Sequence, residues 1–144
     1  MTKKLVASLV LGSVLFSLPA LADDSEAYEK CMASAKNAEA KLDCIAYEGD
    51  RLLEQMEQKF AEFKDKCKLL PANDAKDCVA TADNAHNAYL DYYDKMAVPL
   101  TYLATTQGQD DAARVELNKT LNELTKAHIE MLEEGIELTK GQDD

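Results

Sequence analysis

The fold is decided by residues 31–78, which read CMASAKNAEAKLDCIAYEGDRLLEQMEQKFAEFKDKCKLLPANDAKDC. Ala, Leu, Glu and Lys dominate this stretch, while glycine and proline occur once each, and this composition favours helix. Its apolar positions recur at spacings of three, four and once seven residues: Leu42, Ile45, Leu52, Met56, Phe60, Phe63 and Cys67. This periodicity predicts one long helix over residues 39–68.

The cysteines of this stretch can be paired by geometry. Cys44 and Cys67 lie 23 residues apart on the predicted helix, a rise of roughly 34 Å, which is far beyond the reach of a disulfide. That excludes a bond between them, and with it the Cys31–Cys78 bond. Each local pair instead straddles a predicted turn. We therefore predict the disulfides Cys31–Cys44 and Cys67–Cys78, each tying the two legs of a helical hairpin.

Three further helices flank the long one. Helix 1 is predicted over 25–36, capped by Asp24 or Ser25 and stopped by a left-handed Asn37. The next turn is Leu69–Asn73, with Asn73 or Asp74 as the following cap. A helix then starts near 75, and Pro99 should kink or end it. Its heptad stripe comprises Val79, Ala82, His86, Tyr89, Tyr93, Met96, Leu100 and Leu103.

The last helix is predicted over about 111–140. Its stripe comprises Leu117, Leu121, Leu124, His128, Met131, Gly135 and Leu138. Short turns make successive helices antiparallel. The predicted fold class is all-α, a disulfide-stapled antiparallel bundle of three long helices plus a short N-terminal helix.

The N-terminus has the pattern of a secretory signal peptide. Lys3 and Lys4 precede an apolar run over 5–18, Pro19 breaks it, and Ala20-Leu21-Ala22 offers small residues to a signal peptidase. The apolar run is shorter than the roughly 20 residues that a membrane span requires. We predict cleavage between Ala22 and Asp23, a leader over 1–22, one helical domain over 23–144, and a periplasmic or secreted location. An even number of cysteines in such a compartment favours disulfides.

The charge balance limits the classes of partner. Without Lys3 and Lys4, 14 basic residues face 27 acidic ones, a net charge of −13. Nucleic acid requires the opposite sign, and anionic lipid is disfavoured for the same reason. A strongly acidic surface favours solubility and the attraction of a basic protein.

His86 and His128 are the candidate metal ligands. Both lie on apolar stripes, and if the last two helices are antiparallel about residue 107 they lie at the same level. With Met56, Met96 and Met131 nearby, two imidazoles could hold copper or a haem iron. The alternative is a pair of core histidines that hydrogen-bond each other or nearby carboxylates. This alternative is favoured because neither a C-x-x-C-H haem motif nor paired Glu-x-x-His motifs occur, and we predict no cofactor.

A protein-binding patch is the other candidate site. Tyr92 points about 100° away from Tyr93 on the helix and is predicted to be exposed, although ordinary core packing also accounts for most of the tyrosines. Acidic residues crowd one outer face near the end of the last helix: Glu130, Glu133, Glu134 and Glu137. The cysteines are expected to be oxidised, and no nucleophile elbow or phosphate-binding loop occurs. We therefore predict that the chain is not an enzyme.

One family resemblance lies within Cys31–Phe60. The spacing Cys31-x12-Cys44, followed by Tyr47-Glu48-x-Asp50-x-x-Leu53, resembles the N-terminal domain of LprI-like lysozyme inhibitors, which are small exported helical proteins. The resemblance covers about a quarter of the mature chain, and it departs from the family in its Cys-to-Asp spacing, in the residue after Leu53 and in lacking a tryptophan motif. It implies binding and blocking of a cationic lysozyme.

Three hypotheses follow from the sequence. The leading hypothesis is an exported, non-enzymatic factor that binds another envelope or extracellular protein, either as an inhibitor or as a chaperone-like factor. The acidic charge of the chain favours a cationic protein as that partner. The second is a metal- or haem-binding bundle using His86 and His128. The third is a structural component of a secretion or envelope assembly, and an apolar stripe left over after bundle closure would favour it.

Overall fold

The computed structural model describes residues 24–106 and 110–140, so the predicted leader and its cleavage site lie outside the described residues. Every regular element in the described part is helical, which confirms the all-α class. The elements are α1 (Glu26–Ser34), α2 (Ala38–Cys67), α3 (Ala72–Tyr92), a π-helical segment (Tyr93–Ala97), α4 (Val98–Thr106) and α5 (Asp111–Lys140). None of these helices is long and apolar enough to cross a membrane.

Two of the predicted helix ends are corrected. Asn37 does not stop α1 in a left-handed conformation: its φ is −145°, and its side chain accepts the Ala40 amide at 2.8 Å as the N-cap of α2. The Asn side chain satisfies a free amide at the start of the next helix, which is its usual role at this position. Neither Asn73 nor Asp74 caps α3, because that helix already begins at Ala72, directly after Pro71.

The helices pack around α2 and α5. These two helices run parallel in close register, since Lys59 pairs with Glu133 and Phe63 lies against Gly135. Their seam contains the main core cluster: Leu52, Met56, Ile129 and Leu132. A second cluster joins α1 to the same two helices through Tyr28, Cys44, Ile45 and Val115. The short helix α1 therefore covers one end of the α2–α5 pair.

The cysteines pair as predicted. Cys31 joins Cys44 with their Cα atoms 5.7 Å apart, and Cys67 joins Cys78 at 5.4 Å. The first bond ties α1 to α2, and the second ties α2 to α3. No free cysteine is present among the described residues.

The π-helical segment changes which side of the third helix is buried. The predicted stripe continues through Met96, Leu100 and Leu103, but all three are about half exposed, and Ala97 is buried instead. A π segment adds one residue to a turn and so rotates the following helix relative to a regular repeat. Pro99 follows this segment and lacks the amide that would continue the α-helical ladder. The chain remains helical through this region.

The stripe predicted for α5 is also partly wrong. Met131 and Leu138 are 52% and 75% exposed, while Leu132 and Ile136, each displaced from them by one or two positions, are buried. A heptad stripe serves one packing partner, but α5 packs against several elements. Its residue 128 meets α3 and its residue 129 packs in the α2–α5 core, so the buried face is broader than a heptad seam.

Candidate functional site

The two histidines meet in the interior of the bundle. His86 of α3 and His128 of α5 are both buried, and His86 Nδ1 stands 3.2 Å from His128 Nε2. The other ring nitrogen of His86 lies 3.3 Å from a carboxylate oxygen of Glu57 on α2. The imidazoles are therefore at one level, as the predicted register requires, and they hydrogen-bond each other.

Aromatic rings enclose this pair on both sides. Phe60 stacks on His86 with ring centroids 3.9 Å apart, and Tyr89 stacks on His128 at 4.3 Å. The Tyr89 hydroxyl lies 2.7 Å from the Thr125 hydroxyl, so its polar end is also satisfied. These contacts join α2, α3 and α5 through side chains.

The electrostatics keep His128 neutral. Burial, followed by the neighbouring His86, lowers the pKa of His128 from 6.5 to about 4. Its Nδ1 atom is buried without a hydrogen-bond partner in the described part of the chain. The pair offers two nitrogens that already face each other, and no group of three or more His, Cys, Asp or Glu side chains among the described residues could hold a metal ion. Of the three methionines, Met56 is in the core, whereas Met96 and Met131 are exposed. A metal site here stays a prediction.

The predicted protein-binding residues do not form one patch. Tyr92 is exposed at the end of α3. Because Tyr89 lies opposite Thr125, Tyr92 is level with residue 122 of α5. Glu134 lies 12 residues beyond that level, about 18 Å along the axis.

The acidic face of α5 is also less free than the sequence indicates. Glu133 is mostly buried and lies 3.4 Å from Lys59, while Glu137 pairs with Lys140. Glu134 remains exposed, and Glu130 is half-buried. Two of the four carboxylates are thus engaged within the chain.

A different surface is more distinctive than either predicted site. Six large apolar side chains on the end of α3, the π segment and α4 are 46–68% exposed: Tyr92, Met96, Val98, Leu100, Tyr102 and Leu103. We call them the α4 surface. The least exposed side chains described in this region are small: Ala97 is buried, and Thr101 and Ala104 are half-buried. A helix apolar on most sides is normally buried, so this surface lacks a partner within the described chain.

A groove lies near the start of the α4 surface, at Tyr93, which directly follows Tyr92 in the chain. It encloses about 230 Å³ and is lined by Ala46, Asp50 and Leu53 of α2, by Tyr93, and by Leu121 and Asn122 of α5. Burial, followed by the carboxylates of Asp50 and Asp94, raises the pKa of Tyr93. Of these two carboxylates, that of Asp50 also lines the groove. The sequence signal for this region was the uncharged run over 96–109, between Lys95 and Asp110.

A buried carboxylate near the N-terminus was also missed. Glu48 is fully buried and accepts hydrogen bonds from the Ser25 amide and hydroxyl and from Arg51. Its position between Ile45 and Leu52 on the buried side of α2 was the available signal. It anchors the start of α1 and does not resemble a reactive site.

Comparison with known proteins gives no match: no family, no curated protein and no solved structure is similar to this chain.

Proposed function

We propose that the chain is an exported, non-enzymatic protein-binding factor whose contact surface is the α4 surface. The single observation that carries this proposal is the exposure of six large apolar side chains on one helical segment without a charge between Met96 and Thr106. Contiguous exposed apolar surface on a monomer marks interaction sites. Its tyrosines and methionine are residue types enriched at protein interfaces.

The rest of the molecule suits a scaffold for that surface. In this proposal the long helical segments form a disulfide-stapled bundle, and α1 closes one end. The paired cysteines are compatible with an oxidising compartment, and the predicted leader would take the chain to the periplasm or outside the cell. The acidic charge favours a cationic partner, of which a lysozyme is the example that the family resemblance suggests.

The same observation favours a role as a structural component of an envelope assembly. A helix left apolar after bundle closure is the feature expected of such a component. The two roles share the α4 surface and differ in the lifetime and stoichiometry of the complex. Chemical cross-linking that yields a fixed, abundant complex in the envelope would identify the structural role.

Site-specific photo-cross-linking in the producing cell tests the surface. A photoreactive residue in place of Tyr102 should capture a partner, whereas the same residue in place of Leu69 should not. Leu69 is a matched control because it is also highly exposed and apolar but lies in the loop after α2. The substitutions Leu100→Ser and Leu103→Ser should abolish the adduct at position 102. Capture from position 69 alone, or an adduct that survives these substitutions, would reject the α4 surface.

A further inference from the structure

We infer that the groove near the start of the α4 surface receives an amphipathic helix of a partner protein, with its apolar side against Leu53 and Tyr93 and its basic side chains beside Asp50 and Asp94. This inference rests on the proposed function and names the chemistry of the partner.

The floor of the groove is a fixed seam between α2 and α5. Asn122 donates a hydrogen bond to the Ile45 carbonyl at 3.0 Å. A Cβ added to Gly49 would lie 2.9 Å from the Asn122 side-chain oxygen, so the two helices approach closely there. The floor is therefore closely packed. At about 230 Å³ the groove is smaller than the roughly 300–1,000 Å³ of small-molecule pockets, and it suits the few anchoring side chains that a docked helix inserts.

The α4 surface has the length of a short helix. Tyr92 and Leu103 are 11 residues apart, a rise of about 17 Å or three turns. A partner helix that uses anchors at positions i, i+3 or i+4, and i+7 spans a similar distance. A partner helix seated in the groove at Tyr93 would therefore find room for such anchors along the α4 surface.

The charges at the groove select a basic helix. Asp50 of α2 lines the groove, and Asp94 follows Tyr93 in the π segment. Neither carboxylate pairs with a cation within residues 24–106 and 110–140. Asp91, one turn earlier, is already neutralised by Lys95 at 2.6 Å. Basic side chains on the partner would form ion pairs with the two remaining carboxylates. A second copy of this chain, with its net charge of −13 after leader removal, would bring like charges together.

Fluorescence anisotropy with labelled model peptides tests this inference. The probes are an 18-residue amphipathic helix of Leu and Lys and its counterpart of Leu and Glu. We expect the Lys peptide to bind the oxidised protein at least tenfold more tightly than the Glu peptide. Replacement of Asp50 and Asp94 by Asn should weaken Lys-peptide binding about fivefold at low salt and less at high salt, since exposed pairs are weak and screened. The matched control, Glu130→Gln with Glu134→Gln, removes equal charge from the far end of α5 and should change affinity less than twofold.

Each other outcome overturns the inference in a recognisable way. Equal losses in the two charge variants would indicate non-specific attraction, and equal binding of both peptides would remove the requirement for a cation.

A titration followed by NMR locates the bound peptide. The amide signals of residues 46–53 and 93 should shift, whereas shifts confined to 130–137 would place the peptide elsewhere. Absence of peptide binding, with a sedimenting dimer lost in Leu100→Ser, Leu103→Ser, would assign the groove to a second copy. If the peptide fails but cross-linking at position 102 succeeds, the proposed function stands and the helical partner does not.

Discussion

Glu48 is a charged group placed where charge is costly. Its two oxygens accept hydrogen bonds from the Ser25 hydroxyl at 2.6 Å, the Ser25 amide at 3.0 Å and two nitrogens of Arg51 at 2.6 and 3.0 Å. Burial raises the pKa of Glu48, but the hydrogen bonds from Arg51 and Ser25 outweigh that effect and leave it lowered. The carboxylate thereby ties the residue before α1 to the middle of α2.

The substitution Glu48→Gln should lower the free energy of unfolding by about 2 kcal/mol. Breaking an ion pair by removing one partner costs about 3–5 kcal/mol when both groups are buried. Arg51 is partly exposed and also donates to Gln55, which reduces the cost. Urea denaturation at pH 7 measures it. Glu54→Gln, an exposed neighbour on the same helix, is the control and should stay within about 0.5 kcal/mol. Equal midpoints for the two variants would contradict this role of Glu48.

His128 gives the protein a pH-dependent stability. Its folded-state pKa is about 4, whereas an unfolded histidine titrates near 6.5. Between these values the unfolded state binds more protons, so stability rises with pH and is lost as pH falls from about 6.5 to about 4. Over that range the free energy of unfolding should fall by about 3 kcal/mol. The lowered pKa of Glu48 should add a further loss of stability as the pH falls below the ordinary Glu value of 4.5.

Urea midpoints measured at several pH values between 7.5 and 4 test this prediction. The variant His128→Gln removes the titrating group and should flatten the slope between pH 6.5 and 5, whatever its absolute stability. A slope unchanged in His128→Gln would show that other groups cause the acid sensitivity.

Gly135 allows α5 to approach α2 closely at Phe63. A Cβ added to Gly135 would lie 2.6–3.0 Å from three atoms of the Phe63 ring. Alanine is the better helix former by about 1 kcal/mol, but overpacking costs typically 1–3 kcal/mol. Gly135→Ala should therefore be neutral to destabilising by about 2 kcal/mol in the wild-type background.

A double-mutant cycle separates the two effects of that alanine. In a Phe63→Leu background the ring no longer fills the space, and Gly135→Ala should stabilise relative to Phe63→Leu alone. Thermal or urea unfolding of the four proteins gives the coupling. If the alanine has the same effect in both backgrounds, the close approach of α5 to Phe63 is not what selects glycine.

The elements also show which structure can be predicted from the sequence and which cannot. The long helix and both disulfides follow from local periodicity and from the length of a helix, which are properties of the chain itself. That His86 and His128 lie at the same height along the bundle follows from the position of the turn predicted near residue 107. The exposure of Met96, Leu100 and Leu103 does not follow, because a π segment shifts the phase of the helix without a change in composition. The exposed face of α5 depends on how many elements pack against it, and that is decided by tertiary structure.

At the scale of the whole molecule, the two ends of the helix pair differ. At one end the Cys67–Cys78 bond joins α2 to α3. Nearer the middle, Phe60 of α2 stacks on His86 of α3. At the other end α1 is fastened by the Cys31–Cys44 bond, by Glu48 and by an ion pair between Lys126 and Asp24. Among the described residues, no disulfide or ion pair involves the six side chains of the α4 surface. The cross-linked parts of the bundle therefore carry this apolar surface, which is the arrangement that the proposed binding role requires.

The last prediction is that folding depends on both disulfides and that their contributions add. Each bond closes a loop of about a dozen residues, worth about 3 kcal/mol, so the two supply about 6 kcal/mol. A domain of this size has a total stability of roughly 6–18 kcal/mol, so the reduced chain should be marginal at 37 °C. Cys44 and Cys67 lie 23 residues apart on α2, about 34 Å along its axis, so the two bonds are far from each other. Replacing each pair by Ser should thus give losses that sum in the quadruple variant to within about 0.5 kcal/mol. Urea unfolding of the wild type, the two pair variants and the quadruple variant measures these losses. A quadruple variant whose stability is within about 1 kcal/mol of the wild type would remove the physical reason for an oxidising compartment.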